Sequence, residues 1–371
     1  MNGAKSLVYC DIGTGAVVAH WPARDGKQAI TQRLATLLQP VRISPCDLDA
    51  DGLTDLVVAD IGEFNANDTD LGRVVWLRRK PGSQKFQKVV LREGLSRIAD
   101  VQPGDFDNDG DLDLLVGAFG WRNTGRTFML ENKGKDSLDG DGFPTFTDSK
   151  VDERHGPVNV TPIDLNDDGH LVFVSLISQE YEVIEAFLND GTGNFKPQVI
   201  YQAPDPAYGS SSIELVDMDG DKDIDVLFTN GDSFDRGPKP YHSVQWLENT
   251  GSFPYKHHHL CRMPGVLSAR AADFDGDGDQ DVVAASLLGK TTGEDVGAKD
   301  TSALIVLLQQ APGEFTATRV EGATHQHISV EVGDFDGDSQ VDIAVGNFLR
   351  GSNDVTQPDV AIYWNRPSPS Q

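Results

Sequence analysis

Six short acidic segments recur along this 371-residue chain, beginning at Asp47, Asp105, Asp164, Asp217, Asp273 and Asp334. The steps between them are 58, 59, 53, 56 and 61 residues. A single Asp/Gly cluster is ordinary turn material. Six in register make an architecture, because each repeat must then be one supersecondary unit that buries its apolar faces against the next.

The segments sit in a constant local grammar. A short strand-like run precedes each, as in Arg97 to Val101, and an apolar run follows, as in Leu114 to Ala118, Val226 to Phe228 or Val282 to Ala285. A third run carries aromatic or large apolar residues and ends in Asn, as in Phe128 to Asn132, Ala186 to Asn189, Val244 to Asn249 and Ile362 to Asn365. A fourth opens with Phe after a Gly-containing turn, at Phe86, Phe195 and Phe315. Four short strands per repeat, joined by hairpins, read as one propeller blade. The N-terminal run Leu7 to Gly13 matches Leu56 to Gly62 and is therefore a second strand, while the last repeat stops after its third strand near Trp364. The expected fold is all-β, a seven-bladed β-propeller forming a single domain over 1–371. Its partial first blade occupies 1–38, and its other repeats centre on 47–55, 105–113, 164–172, 217–225, 273–281 and 334–342. Asn2 to Ser6 align with the second half of a seventh loop, so the missing strands are expected upstream of Met1, as in a truncated domain or after a late start codon.

The loop pattern D-x-[DN]-x-D-G-x-x-D matches the first part of an EF-hand-type calcium loop. Carboxylates at positions 1, 3 and 5, a carbonyl at 7 and an acid at 9 can surround a hard cation with the oxygens it prefers. The ligand positions are Asp47, Asp49, Asp51, Leu53 and Asp55 in the first copy, and Asp105, Asp107, Asp109, Asp111 and Asp113 in the second. The fourth has Asp217, Asp219, Asp221, Asp223 and Asp225; the fifth has Asp273, Asp275, Asp277, Asp279 and Asp281. The sixth has Asp334, Asp336, Asp338, Gln340 and Asp342. Copies one, two and five also have glycine at position 6 (Gly52, Gly110, Gly278) and are expected to bind best. Lys222 and Ser339 replace that glycine in copies four and six, at a strain of about 1 kcal/mol each if the turn is left-handed. The third copy, Asp164, Asn166, Asp168 and His170, ends on Val172 and is expected to be weak.

On these loops and their spacing the chain resembles the FG-GAP or VCBS repeat of integrin-α-like β-propellers. That resemblance implies up to six calcium ions in loops joining the first and second strands of the blades. It does not select a function, since the repeat occurs in adhesion receptors, lectins and propellers of sugar lyases and dehydratases.

The formal charge of −27 needs reading with the loops in mind. Twenty-two of the 58 acids stand at positions 1, 3, 5 and 9 of the loops, and six calcium ions would bring the charge to about −15. The acidity argues against nucleic acid, which calls for a basic stripe. No apolar stretch approaches a membrane span and no signal peptide is visible. Loops of modest affinity suit an extracellular or periplasmic setting. Cys10, Cys46 and Cys261 are too few for a disulfide scaffold and are expected to be buried as small apolar residues.

If the acidic loops mark one end of each blade, the other end is where polar groups gather. His155, His325, His327, Tyr208, Asn230, Asn347 and Asp60 fall there by position, with Trp121, Arg122, Gln179, Glu180 and Asp232 on the adjoining turns. Amides, carboxylates and an aromatic face suit a sugar; His and carboxylate groups can also hold a transition metal or move protons. Three functions follow. The first is a recognition module for a glycan. The second is a lyase or dehydratase on an oxidised sugar, with His155, His325, Glu180 and Tyr208 as candidate catalytic groups. The third is a protein-interaction scaffold within a secreted chain. His257 to His259 lie in a fourth strand, where alternation separates neighbours. The Asp139 to Gly142 segment reads as a third-to-fourth-strand turn, and Gly289 to Ser302 as an insertion.

Overall fold

The computed structural model describes residues 6–23, 28–134, 137–166, 168–234, 237–288, 301–322, 326–348 and 358–366. Met1 to Lys5, His325 and 289–300 therefore lie outside the described residues. The chain forms two compact units, 1–199 and 200–371.

Seven antiparallel sheets, each a meander with its strands in chain order, are the blades of an all-β seven-bladed propeller. The first unit opens with a three-stranded blade, Leu7–Asp11, Ala16–Trp21 and Ile30–Thr36. Pro40–Cys46, Asp55–Asp60, Gly72–Arg79 and Phe86–Leu95 form the second blade; Ile98–Gly104, Asp113–Ala118, Arg126–Asn132 and Phe146–Asp152 form the third. Pro157–Ile163, Val172–Ile177, Val183–Asn189 and Phe195–Gln202 make the fourth. In the second unit, Ser212–Val216, Asp225–Thr229, Ser243–Glu248 and Lys256–Arg262 are followed by Val266–Ala272, Asp281–Ser286, Ser302–Ala311 and Glu314–Gly322. The last blade has three strands among the described residues, His327–Gly333, Asp342–Asn347 and Val360–Tyr363.

Burial follows the sequence pattern strand by strand. Second strands such as Asp113–Ala118 and Asp281–Ser286 are buried at every residue. Their side chains alternate between two faces, and both faces are covered within the blade stack, so a continuous apolar run replaces alternation. Fourth strands such as Phe86–Leu95 are partly exposed throughout. Between blades two and three of the first unit the core holds Val57, Trp76, Ile98, Leu114 and Phe128; between three and four it holds Phe106, Phe173 and Phe187, the last two stacked at 4.4 Å. The second unit packs Leu227, Val244, Trp246, Val282 and Leu307 together. The three cysteines are unpaired and half-buried, and burial pushes the thiols of Cys46 and Cys261 up to about 12 and about 11. Asp139 closes its third-to-fourth-strand turn by accepting from the backbone of Asp141 and Phe143, each at 2.9 Å.

One feature of the backbone was absent from the sequence pattern. Five first strands carry a register shift near their start, between Pro40 and Arg42, Ile98 and Asp100, Pro157 and Asn159, Val266 and Ser268, and His327 and Ser329, while Ser212–Val216 pairs without one. Such bulges re-aim side chains. Here they bring Arg42 to 3.1 Å from Asp100, whose carboxylate also accepts from Val160 N at 3.0 Å.

Candidate metal centres and binding surface

Each acidic segment joins the first strand of its blade to the second and is built by its own carboxylates. The position 1 aspartate accepts from the backbone N–H of position 6: Gly52 to Asp47 at 2.9 Å, Gly110 to Asp105 at 3.0 Å, Lys222 to Asp217 at 3.0 Å and Gly278 to Asp273 at 3.1 Å. Position 5 accepts from position 7, as when Asp223 N donates to Asp221 at 2.8 Å. These bonds curl the chain so that position 6 is left-handed, at φ 84° for Gly52, 78° for Lys222 and 70° for Ser339. Lys222 and Ser339 therefore sit in the backbone conformation that favours glycine. Position 4 is left-handed as well, at Ala50 (φ 51°), Asn108 (φ 59°), Gly220 (φ 78°), Gly276 (φ 83°) and Gly337 (φ 81°). The motif leaves this position open, although three copies carry glycine there.

The position 9 acid does something different. Asp55, Asp113, Asp225, Asp281 and Asp342 are all buried. Each accepts from the end of the third strand: Arg79 N at 2.6 Å, Asn132 N at 2.9 Å, Asn249 N at 2.7 Å, Gln309 N at 2.8 Å and Asn365 N at 2.9 Å. Each also accepts from the backbone at position 2 of its own loop, at Leu48, Phe106, Met218, Phe274 and Phe335. Burial pushes Asp113 up to about 7 and Asp225 up to about 6 despite these bonds.

Five of the six loops bring three carboxylates together with ligand oxygens within 4.8 Å of one another. They are Asp47, Asp49 and Asp55; Asp105, Asp107 and Asp109; Asp217, Asp219 and Asp225; Asp273, Asp275 and Asp281; and Asp334, Asp336 and Asp342. Burial, and then the neighbouring Asp109 charge, raises Asp107; Asp219 is raised in the same way by burial and by Asp221. Asp49 Oδ1 and Asp279 Oδ1 are buried with no hydrogen-bond partner. Converging, mutually repelling oxygens with unpartnered atoms among them are the donor set a hard divalent cation requires. The Asp164 loop is not among these clusters. Asn166 donates its amide to Asp168 at 2.9 Å, and His170 Nδ1 lies 2.8 Å from Asn108 of the preceding loop.

At the other end of the blades the anticipated residues divide by unit. In the first unit, Asp60 is fully buried and accepts from Gln39 N at 2.7 Å, Leu38 N at 3.1 Å and Arg73 Nε at 3.0 Å. Its carboxylate holds the turn. The Arg122 guanidinium lies 4.5 Å over the Trp121 ring. His155 lies 3.7 Å from Glu180 and 5.2 Å from the Tyr181 ring, on a turn where Gln179 and Glu182 have positive φ.

In the second unit, Tyr208 donates to Gln245 at 3.2 Å and lies parallel to Tyr241, at 5.9 Å and 7°. Tyr241 is 45% exposed and Phe234 is 48% exposed. Asn230 is buried and accepts from Ser243 N at 2.8 Å and Gln245 Nε2 at 3.1 Å. Asp232 accepts from Phe234 N at 3.0 Å. His327 is buried, with Nδ1 at 2.6 Å from Asn347 and Nε2 at 2.9 Å from Glu321. His257 and His258 have separate partners, Gln245 and Glu248.

Several polar groups had no signal in the loop spacing. Glu214 accepts from Ala271 N at 2.7 Å, and burial pushes it up to about 7; Arg270 donates to Glu331 at 2.6 Å. His242 is buried, accepts at Nδ1 from Lys239 N and Gly265 N, and is pushed down to about 4 by burial. Their first-strand and turn positions could have been singled out as polar residues within otherwise apolar runs.

The fold and the repeated acidic loops define a β-propeller of repeats with a common acidic-loop grammar. The FG-GAP-like repeat model matches residues 47–116 and 164–228, and an integrin-α-like propeller is consistent with that match. No curated protein matches the chain in sequence. Among solved structures it is similar to BBS1N in complex with ARL6DN, soaked with lead, at 12% identity and TM-score 0.51, covering 100% of this chain and 95% of that one. The biofilm matrix protein Bap1 of V. cholerae matches at 19% identity and TM-score 0.37, over 68% of this chain and 36% of that one. The NanB sialidase from Streptococcus pneumoniae matches at 12% and 0.43, over 92% and 65%. At these identities the likeness is one of fold.

Proposed function

We propose that this protein is a calcium-stabilised β-propeller recognition module, working in an extracellular or periplasmic setting where calcium is abundant. Its ligand is a glycan, bound at the blade ends opposite the acidic loops. The observation that carries the reading is the parallel Tyr208–Tyr241 pair, with Tyr241 half in solvent and Asp232 and the exposed Phe234 on the same connection as Tyr241. Aromatic faces take up the apolar face of a sugar ring, and a carboxylate beside them accepts from hydroxyls. The acidic loops supply rigidity, since each calcium ion bound to the folded form stabilises it by mass action.

A lyase or dehydratase would need a base at the same end. His155 beside Glu180 is a described pair of that kind, whereas His327 has both nitrogens engaged. A glycan array probed with the full chain in calcium and in chelator tests the proposal. Binding is expected in calcium, lost in chelator, and lost in Tyr241→Ala. A protein that binds no glycan but retains protein partners would be the scaffold of the third reading; binding untouched by Tyr208→Ala and Tyr241→Ala would exclude this surface.

A further inference from the structure

The five loops with clustered carboxylates are not alone with their own charge. Arg78 donates from Nε to Asp49 and from its terminal nitrogen to Asp51 at 3.1 Å, so one guanidinium spans positions 3 and 5 of the Asp47 loop. Arg366 does the same at the Asp334 loop, where its two terminal nitrogens reach Asp336 and Asp338. Each arginine is propped on a tryptophan, Arg78 at 5.9 Å from the Trp76 ring and Arg366 at 5.5 Å from Trp364. The two do not occupy equivalent places. Arg78 precedes the third-strand residue whose N–H binds the position 9 acid, Arg79, and Arg366 follows its counterpart, Asn365. Different registers have arrived at one contact.

The other loops face the opposite sign or none. Where the second blade has Arg78, the third and fifth have Glu131 and Glu248, whose charges help to raise Asp107 and Asp219. Each of those glutamates is held away by a lysine, Lys133 at 2.6 Å and Lys256 at 2.8 Å. The sixth blade has Leu308 there, and its Asp279 keeps an unpartnered buried oxygen.

We infer that Arg78 and Arg366 are tethered cations that occupy the Asp47 and Asp334 loops in the absence of metal, and that calcium must displace them. The five loops then fall into two classes: the Asp105, Asp217 and Asp273 loops fill first, and the Asp47 and Asp334 loops fill later. The Asp47 loop, complete in its motif, is thereby demoted. The two arginine-bearing loops keep their shape without metal, because a guanidinium already neutralises the carboxylates that would repel. The inference rests on the calcium reading of the loops.

Calcium titration of the chelator-stripped full chain by calorimetry, paired with thermal melts in chelator and in calcium, tests it. Wild type is expected to show two classes of site. Arg78→Gln and Arg366→Gln should each move one weak site to an affinity about tenfold higher, the scale for removing a unit charge that repels a divalent ion at a partly exposed site. Each should also lower the metal-free melting temperature and leave the calcium-loaded one unchanged, while Arg78→Lys stays closer to wild type. If a Gln variant does not fold in chelator, chelator competition from the calcium-loaded protein reads the same affinities. Wild-type calcium uptake that Arg78→Gln and Arg366→Gln leave unchanged would overturn the inference and spare the calcium reading. No calcium uptake by wild type, and equal melts with and without it, would overturn both.

Discussion

The loops at Asp105 and Asp164 stand in consecutive blades and share one length and one turn, yet they are closed in different ways. In the first, buried Asp113 ties Phe106 N to Asn132 N, joining the loop to the end of the third strand. In the second, Val172 occupies that place and no carboxylate is available. Closure there is left to Asn189, whose amide donates to Leu171 O at 3.0 Å, as Asn132 donates to Leu112 O at 3.1 Å in the first loop, and also reaches Phe106 O at 2.8 Å. The position 1 bonds survive in both, with Gly169 donating to Asp164 at 2.9 Å. The difference teaches that the loop's shape and its metal chemistry are separable: position 1 makes the turn, positions 3 and 5 gather charge, and position 9 braces the blade.

Asp113→Val would make the first loop imitate the second, and it should have the largest effect. It leaves the N–H groups of Phe106 and Asn132 without their acceptor, at about 1–3 kcal/mol for each that stays buried. Chemical denaturation in chelator would measure this apart from metal loss. A cost below about 1 kcal/mol would show that the Asn132 amide, already bonded to Leu112 O, braces its loop without the acid.

The pH dependence of stability separates the loops next. Asp113 at about 7 and Asp225 at about 6 lie above the ordinary carboxylate value, so in chelator the folded state holds protons that the unfolded state has released. Metal-free stability should therefore fall as pH rises from about 4 to about 7, by a few kcal/mol in total. His242, at about 4, has the opposite sign: it resists charging, and its contribution is lost as pH falls from about 6.5 towards 4. The Val172 blade has no position 9 acid to titrate. Asp113→Asn should flatten the chelator profile more than Asp164→Asn does, and an unchanged profile would remove Asp113 as its source.

The smallest effect concerns backbone alone. Lys222→Gly and Ser339→Gly should each stabilise by up to about 1 kcal/mol, since both residues lie at positive φ. Asn166→Asp, which keeps the backbone turn but removes the amide's donation to Asp168 and sets two exposed carboxylates side by side, should lower metal-free stability slightly. Thermal melts of the three variants in chelator would show whether backbone strain outweighs charge.

The blade count and the strand order were legible because spacing and apolar runs report directly on strands. So was the left-handed position 6, since the motif assigns glycine there and its replacements Lys222 and Ser339 keep the same conformation. Position 4 was legible only in part: Gly220, Gly276 and Gly337 mark it, while Ala50 and Asn108 take the same left-handed conformation without glycine. Arg78 and Arg366 escaped because they reach the same contact from different registers, and a repeat alignment averages such pairs away. At the other end, position along the chain put Asp60, Asn230 and His327 near the surface. It could not show that Arg73, Ser243 and Glu321 engage them. A sequence places a polar group well but does not reveal its partner.

The amide at the end of the third strand has a directional consequence. Asn189 reaches the carbonyl of Phe106, Gln309 that of Met218, and Asn365 that of Phe274, in each case position 2 of the preceding blade's loop. Each such blade grips the loop before it, while no described amide of this kind reaches forward. One such link lies in the first unit and two run in series in the second, so these loops overlap like roof tiles. Loosening one blade should unseat the loop upstream of it more readily than the one downstream, which gives local unfolding a preferred direction along the chain.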